Sequence, residues 1–170
     1  MAARNVLLTY DLKAKVADFG LSSRIYVETD TRKGGNSNII PFRWAAYEVL
    51  QSGPAIKEFS DIWSFGVLMW EIFHLGSAVP YGDKKEYGEV ILFLKSQHRL
   101  SQPPLCPQYV YDLMFECWTE NYNRRPTFLQ LKTKLCDFNP SKHLSYPKFV
   151  LSSPLMGQEN VMYTDCNVRQ

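Results

Sequence analysis

One segment constrains the fold more than any other: Ile62 to Leu75 is apolar on every side of a helix, interrupted only by polar Ser64, Glu71 and His74 and by Gly66. A helix that is hydrophobic all round must be covered on all faces. Ser60-Asp61 before it reads as a start and Gly76 after it as a stop. The apolar run is too short for the roughly 20 residues that cross a bilayer, so it predicts a core helix and no membrane span. With 170 residues, 45% of them hydrophobic and 14% aromatic, the chain can close one core around such a helix. Neither disulfides nor a structural metal is required.

The other elements follow from local signals. Val6 to Tyr10 and Lys13 to Ala17 are short β-prone runs joined by Asp11-Leu12, and the second alternates like a half-buried strand. They predict a small hairpin. Leu21 to Ile40 has no sustained period and carries Gly34-Gly35-Asn36-Ser37-Asn38, so it reads as a long loop, the most mobile internal segment and the one that carries function. Trp44 to Gln51 predicts a short helix stopped by Ser52-Gly53-Pro54. Asp83 and Glu86 resemble a capping box before Tyr87, Val90, Ile91 and Leu94, which share one helix face. Pro107 opens a helix with the stripe Val110, Leu113, Met114, Cys117 and Trp118. Thr127-x-x-Gln130 caps a last helix carrying Phe128, Leu131 and Leu135. The expected division is a mainly α unit over residues 1–138 and a poorly ordered tail over 139–170.

Several function classes are excluded. A net charge of +2 with scattered basic residues gives no nucleic-acid footprint. Cys106, Cys117, Cys136 and Cys166 lie 11, 19 and 30 residues apart, without zinc-site spacing, and suggest a reducing compartment. The beginning of the chain has no signal-peptide pattern, and the sole Asn-x-Ser string, at Asn139, is blocked by Pro140.

The first chemical signal is Asp18-Phe19-Gly20 after a β-prone run. A carboxylate fixed there can hold Mg²⁺, and Gly20 permits a sharp turn; an ordinary Asp-containing turn is the alternative. The string gains meaning from what surrounds it in order. Ala2-Ala3-Arg4-Asn5 stands upstream; Ile40-Pro41-Phe42-Arg43-Trp44, Ala46-Tyr47-Glu48, Ser60-Asp61-Ile62-Trp63-Ser64-Phe65-Gly66, Pro80-Tyr81-Gly82, Cys117-Trp118 and Arg125-Pro126-Thr127-Phe128 follow. Together they resemble the C-terminal lobe of a protein-tyrosine kinase over about residues 1 to 136. The fold so implied is mainly α, with a small β-hairpin and without the N-terminal lobe.

The resemblance implies that Asn5 and Asp18 hold Mg²⁺ with ATP, and that Arg4 gives the loop its tyrosine-kinase form. A solvated surface arginine is the plainer reading of Arg4. Pro41, Phe42, Arg43 and Trp44 are implied as the shelf for a substrate tyrosine, and Glu48 and Arg125 as a structural ion pair. Asp61 is implied to tether the catalytic loop, or else is a plain helix cap. Protein substrates bearing tyrosine and an N-terminal kinase lobe are the implied partners. The implied location is the cytoplasm, or the cytoplasmic side of a membrane receptor.

Some features depart from the family. With Met1 at the position after the family's catalytic aspartate, the general base falls outside the chain, as do the glycine-rich loop, the strand lysine and its helix glutamate. The expectation is therefore no phosphoryl transfer from residues 1–170 alone, and a bare face on the central helix where the family has a preceding helix, with aggregation or loose packing as its result. Asp30-Thr31 stands where many receptor-type kinases have two tyrosines, leaving Tyr26 as the loop's regulatory candidate. Tyr47 replaces a usual proline. A kinase-like binding module without catalysis is the alternative function.

Overall fold

The computed structural model describes residues 1–17, 41–52 and 58–138. Their elements are strands β1 (Val6–Leu8) and β2 (Ala14–Val16), then helices α1 (Tyr47–Ser52), α2 (Glu58–Phe73), α3 (Tyr87–Lys95), α4 (Gln108–Cys117) and α5 (Phe128–Cys136). Short 3₁₀ turns occupy Ala3–Asn5 and Tyr122–Arg124. The fold is mainly helical with one two-stranded antiparallel sheet.

Helix α2 is the centre. Ile62, Trp63, Val67, Leu68, Met69 and Trp70 are all buried, and its longest contact is with α4, whose buried stripe is Val110, Leu113, Met114 and Cys117. Gly66 allows that approach: a Cβ there would lie 2.7 Å from Trp118 Nε1 and 2.9 Å from Cys117 Cβ. The apolar residues of α2 face inward over most of its length. The expected bare face is reduced to two places. Ile72, 54% exposed, continues into exposed Leu75 and Val79. Half-buried Phe65 borders a groove of about 470 Å³ with Phe128, Leu131 and Leu135. Part of the cover comes from the turn Ala3–Asn5, which packs on α2.

The termini of several helices differ from the sequence expectations. Helix α2 begins at Glu58, so Ser60 and Asp61 lie within its first turn instead of capping it; acidic residues are favourable to the helix dipole there as well as at the cap. Helix α1 begins at Tyr47 because Pro41 to Ala45 closes a turn, with Trp44 N–H donating to Pro41 O at 2.9 Å. The box before α3 is one turn later than Asp83 and Glu86: Glu86 is the cap, and Glu89 accepts from the N–H groups of Glu86 (3.0 Å) and Lys85 (2.6 Å). Asp83 pairs with its neighbour Lys84. The hairpin forms with Val6 opposite Val16 and Leu8 opposite Ala14, but β2 is exposed along its whole length and not half-buried. Among the described residues, nothing packs over it. Helices α4 and α5 start where the sequence predicts, the latter with Gln130 N–H bonded to Thr127 Oγ1 and Thr127 N–H to Gln130 Oε1.

Candidate functional site

The hairpin and the turn before it place Asn5. Its N–H donates to Ala2 O at 2.9 Å, closing the 3₁₀ turn, and its C=O accepts from Ala17 N–H at 2.7 Å, extending the β1–β2 ladder by one pair. Leu12 takes a left-handed conformation (φ 59°) in the reversal that sets this register. Half-buried Asn5 is thus held across the ladder from the residue bonded to Asp18. Asp18 and Tyr26 themselves lie outside the described residues, as do the loop Leu21 to Ile40 and the tail 139–170. Among the described residues, no three His, Cys, Asp or Glu side chains converge as metal ligands.

Arg4 is exposed, and its guanidinium stacks 4.5 Å above the ring of Trp44. Trp44 in turn donates its indole N–H to Glu71 Oε2 at 2.9 Å, and the same oxygen accepts from Ala3 N–H at 2.9 Å. The Ala3–Asn5 turn and the Pro41–Trp44 segment therefore meet on one carboxylate of α2. Sequence reasoning missed Glu71. Its only signal was an acid inside an otherwise apolar run.

The shelf is braced from the other side by Arg43. Its Nη1 donates to Pro80 O (2.7 Å) and Tyr81 O (2.6 Å), and its Nη2 to Lys84 O (2.6 Å). The guanidinium that the resemblance implied for substrate thus holds three carbonyls of the segment before α3. It also lies 5.1 Å from the ring of Phe42, which meets Tyr87 edge to face at 6.3 Å. Tyr87 completes the link by donating its hydroxyl to Leu50 O at the end of α1. Pro41 begins the turn and is half-buried. Beside the shelf opens a cleft of about 440 Å³ lined by Ala3, Arg4, Trp44, Glu71, Ile72 and Val79.

Glu48 and Arg125 form a separate group. Arg125 Nη1 donates to Glu48 Oε1 at 2.8 Å and Nη2 to Oε2 at 2.7 Å, a forked pair whose arginine side chain is 0% exposed and whose glutamate is 24% exposed. The remaining arginine donors reach Thr119 O and Phe59 O, each at 2.8 Å, and Ser60 Oγ donates to Glu48 Oε1. Asp61 is exposed in the first turn of α2.

A turn presenting Arg4 and Asn5, a hairpin leading to Asp18-Phe19-Gly20, and a Pro-Phe-Arg-Trp shelf on a central helix form one arrangement. A family model described as protein tyrosine and serine/threonine kinase matches residues 1–135. The chain belongs to that family. Among curated proteins, this kinase chain is 42% identical over 135 residues to the tyrosine-protein kinase transmembrane receptor Ror of Drosophila melanogaster, covering 79% of the chain and 19% of that protein. It is equally similar to the tyrosine-protein kinase receptor torso of Drosophila melanogaster, over 79% of the chain and 14% of the receptor. The megakaryocyte-associated tyrosine-protein kinase of Rattus norvegicus also matches at 42%, over 79% of the chain and 27% of that kinase. The kinase chain thus spans between about a seventh and about a quarter of these relatives' lengths. No helix among its described residues is long and apolar enough to cross a membrane.

Proposed function

We propose that the chain is the magnesium-binding, activation-segment and substrate-binding part of a protein-tyrosine kinase, which transfers the γ-phosphoryl of ATP to protein tyrosines. The observation that carries this is the bond between Ala17 N–H and Asn5 C=O at 2.7 Å, which ties the Arg4-Asn5 turn to the residue before Asp18. An Asn amide oxygen and an Asp carboxylate are hard oxygen donors, the set that Mg²⁺ takes alongside phosphate and water. Asn5 and Asp18 are the residues that hold it, and bound Mg²⁺ neutralises charge on the phosphates of ATP.

In this reading Arg4 lends positive charge beside the substrate, and Pro41, Phe42 and Trp44 present the tyrosine-bearing segment. Arg43 belongs to the same substrate shelf and also fixes it through the carbonyls of Pro80, Tyr81 and Lys84. Glu48 and Arg125 are structural, Asp61 steadies the loop above α2, and Tyr26 is the regulatory phosphosite. A kinase N-terminal lobe brings the nucleotide and is the chain's first partner. The site works in the cytoplasm, or at the cytoplasmic side of a membrane receptor.

Mn²⁺, a paramagnetic substitute for Mg²⁺, tests the metal site directly. Added to the ¹⁵N-labelled chain, it should broaden the amide signals of Asn5 and Ala17 first, and Asn5→Ala with Asp18→Asn should abolish the effect. Broadening centred elsewhere, or surviving both substitutions, contradicts the assignment.

A further inference from the structure

Glu71 interrupts the apolar face of α2, and its carboxylate has two donors from two distant segments: Ala3 N–H, 68 residues upstream, and Trp44 Nε1–H, 27 residues upstream. Both bonds are 2.9 Å and both end on Oε2. The circuit is closed by Arg4, bonded to Ala3 in the chain, whose guanidinium lies 4.5 Å over the Trp44 ring. Hydrogen bonds to an ionised acceptor are about twice as strong as neutral ones, and Glu71 is half-buried, so water screens them only in part. Helix α2 is the most enclosed element, which makes Glu71 a fixed post.

We infer that Glu71 is a positioning residue, setting the separation between the turn that carries Asn5 and the shelf that carries Phe42 and Trp44; this rests on the kinase reading above. Neither segment can drift without losing its bond to the same oxygen. In a transfer between a nucleotide on one side and a hydroxyl on the other, that separation controls alignment, and a misplacement of about 1 Å can cost about a hundredfold. Arg4 acts with Glu71: its positive charge over the indole ring holds the ring flat beneath the loop.

The test joins a structural readout to a kinetic one. In the ¹⁵N-labelled full chain, Glu71→Ala should speed hydrogen exchange of both the Trp44 indole and the Ala3 amide by about tenfold or more. The Leu131 amide in α5 serves as control and should not change. Glu71→Gln keeps a carbonyl oxygen as acceptor and should restore both protons. Should the alanine variant not fold, Glu71→Asp, one methylene shorter, gives the same comparison. In the complete gene product, Glu71→Ala should lower kcat/KM for a tyrosine peptide by roughly 10 to 100-fold with KM for ATP unchanged, and Glu71→Gln should recover most of it. Exchange that quickens equally at Leu131, or an indole signal indifferent to Glu71, overturns the inference, as does an equal rise in KM for ATP. A wild-type product that transfers nothing to tyrosine refutes the kinase reading, while the exchange data still decide whether Glu71 links the two segments.

Discussion

Arg125 and Glu48, 77 residues apart in sequence, meet as a forked ion pair that joins the start of α1 to the segment before α5. The arginine is enclosed, lies 5.0 Å from the ring of Trp63, and has further bonds to Thr119 O and Phe59 O. Arg125→Ala leaves the Glu48 carboxylate without its cation and the carbonyls of Thr119 and Phe59 without its donors, so urea unfolding should show a loss of about 3 to 5 kcal/mol. Glu48→Gln keeps a hydrogen-bond acceptor but leaves a buried positive charge uncompensated, and should fall between that variant and wild type. Equal midpoints for wild type and Arg125→Ala would mean that the pair contributes nothing.

Gly66 is required by contact. Its missing side chain makes room for the indole of Trp118, and an added Cβ would stand 2.7 Å from Nε1 in a ring that is fully enclosed. Gly66→Ala should destabilise the chain by about 1 to 3 kcal/mol despite the better helix propensity of alanine. Circular dichroism during thermal unfolding reads this directly; a variant as stable as wild type would show that α2 and α4 can separate freely.

The cap of α5 is reciprocal, with Thr127 Oγ1 accepting at 3.2 Å and Gln130 Oε1 at 2.8 Å. Thr127→Ala should cost about 1 kcal/mol, and Thr127→Ser most of a kcal/mol less. Indistinguishable urea midpoints for alanine and serine variants would count against the box.

Alkali should unfold the chain before its surface charges account for it. Burial pushes the thiols of Cys106 and Cys117 up to about 12, and burial also raises the phenol of Tyr81. Unfolded thiols ionise near 8.5 and an unfolded tyrosine near 10. Above those values the unfolded chain holds fewer protons than the folded one, so stability falls as pH rises. The urea midpoint should be level up to about pH 8 and then decline, while Cys106 and Cys117 resist alkylation in the native chain. A midpoint that rises between about pH 9 and 11 would reverse the sign of the argument.

Local signals made much of this fold legible, and non-local bonds account for the rest. The stripe from Val110 to Trp118 and the box at Thr127 are read within a few residues, and both helices begin as the sequence predicts. The cap of α3 was ambiguous because Asp83, Glu86 and Glu89 repeat the same spacing, and only the folded backbone decides which pair is used. Glu71 was invisible as a functional residue because its two donors come from segments 68 and 27 residues away. Arg43 was placed by family resemblance in the substrate shelf, but its grip on the carbonyls of Pro80, Tyr81 and Lys84 is something no spacing near Arg43 could announce.

The central claim is tested most directly by transfer of the γ-phosphoryl of ATP, catalysed by the complete gene product with Mg²⁺, to a random glutamate-tyrosine polymer, comparing wild type with Asn5→Ala and Asp18→Asn. The account predicts phosphotyrosine from wild type, none on a matched serine polymer, and a loss of about a hundredfold or more in either variant, since each removes an oxygen ligand of the metal. Transfer that survives both substitutions, or that falls on serine instead of tyrosine, would contradict it.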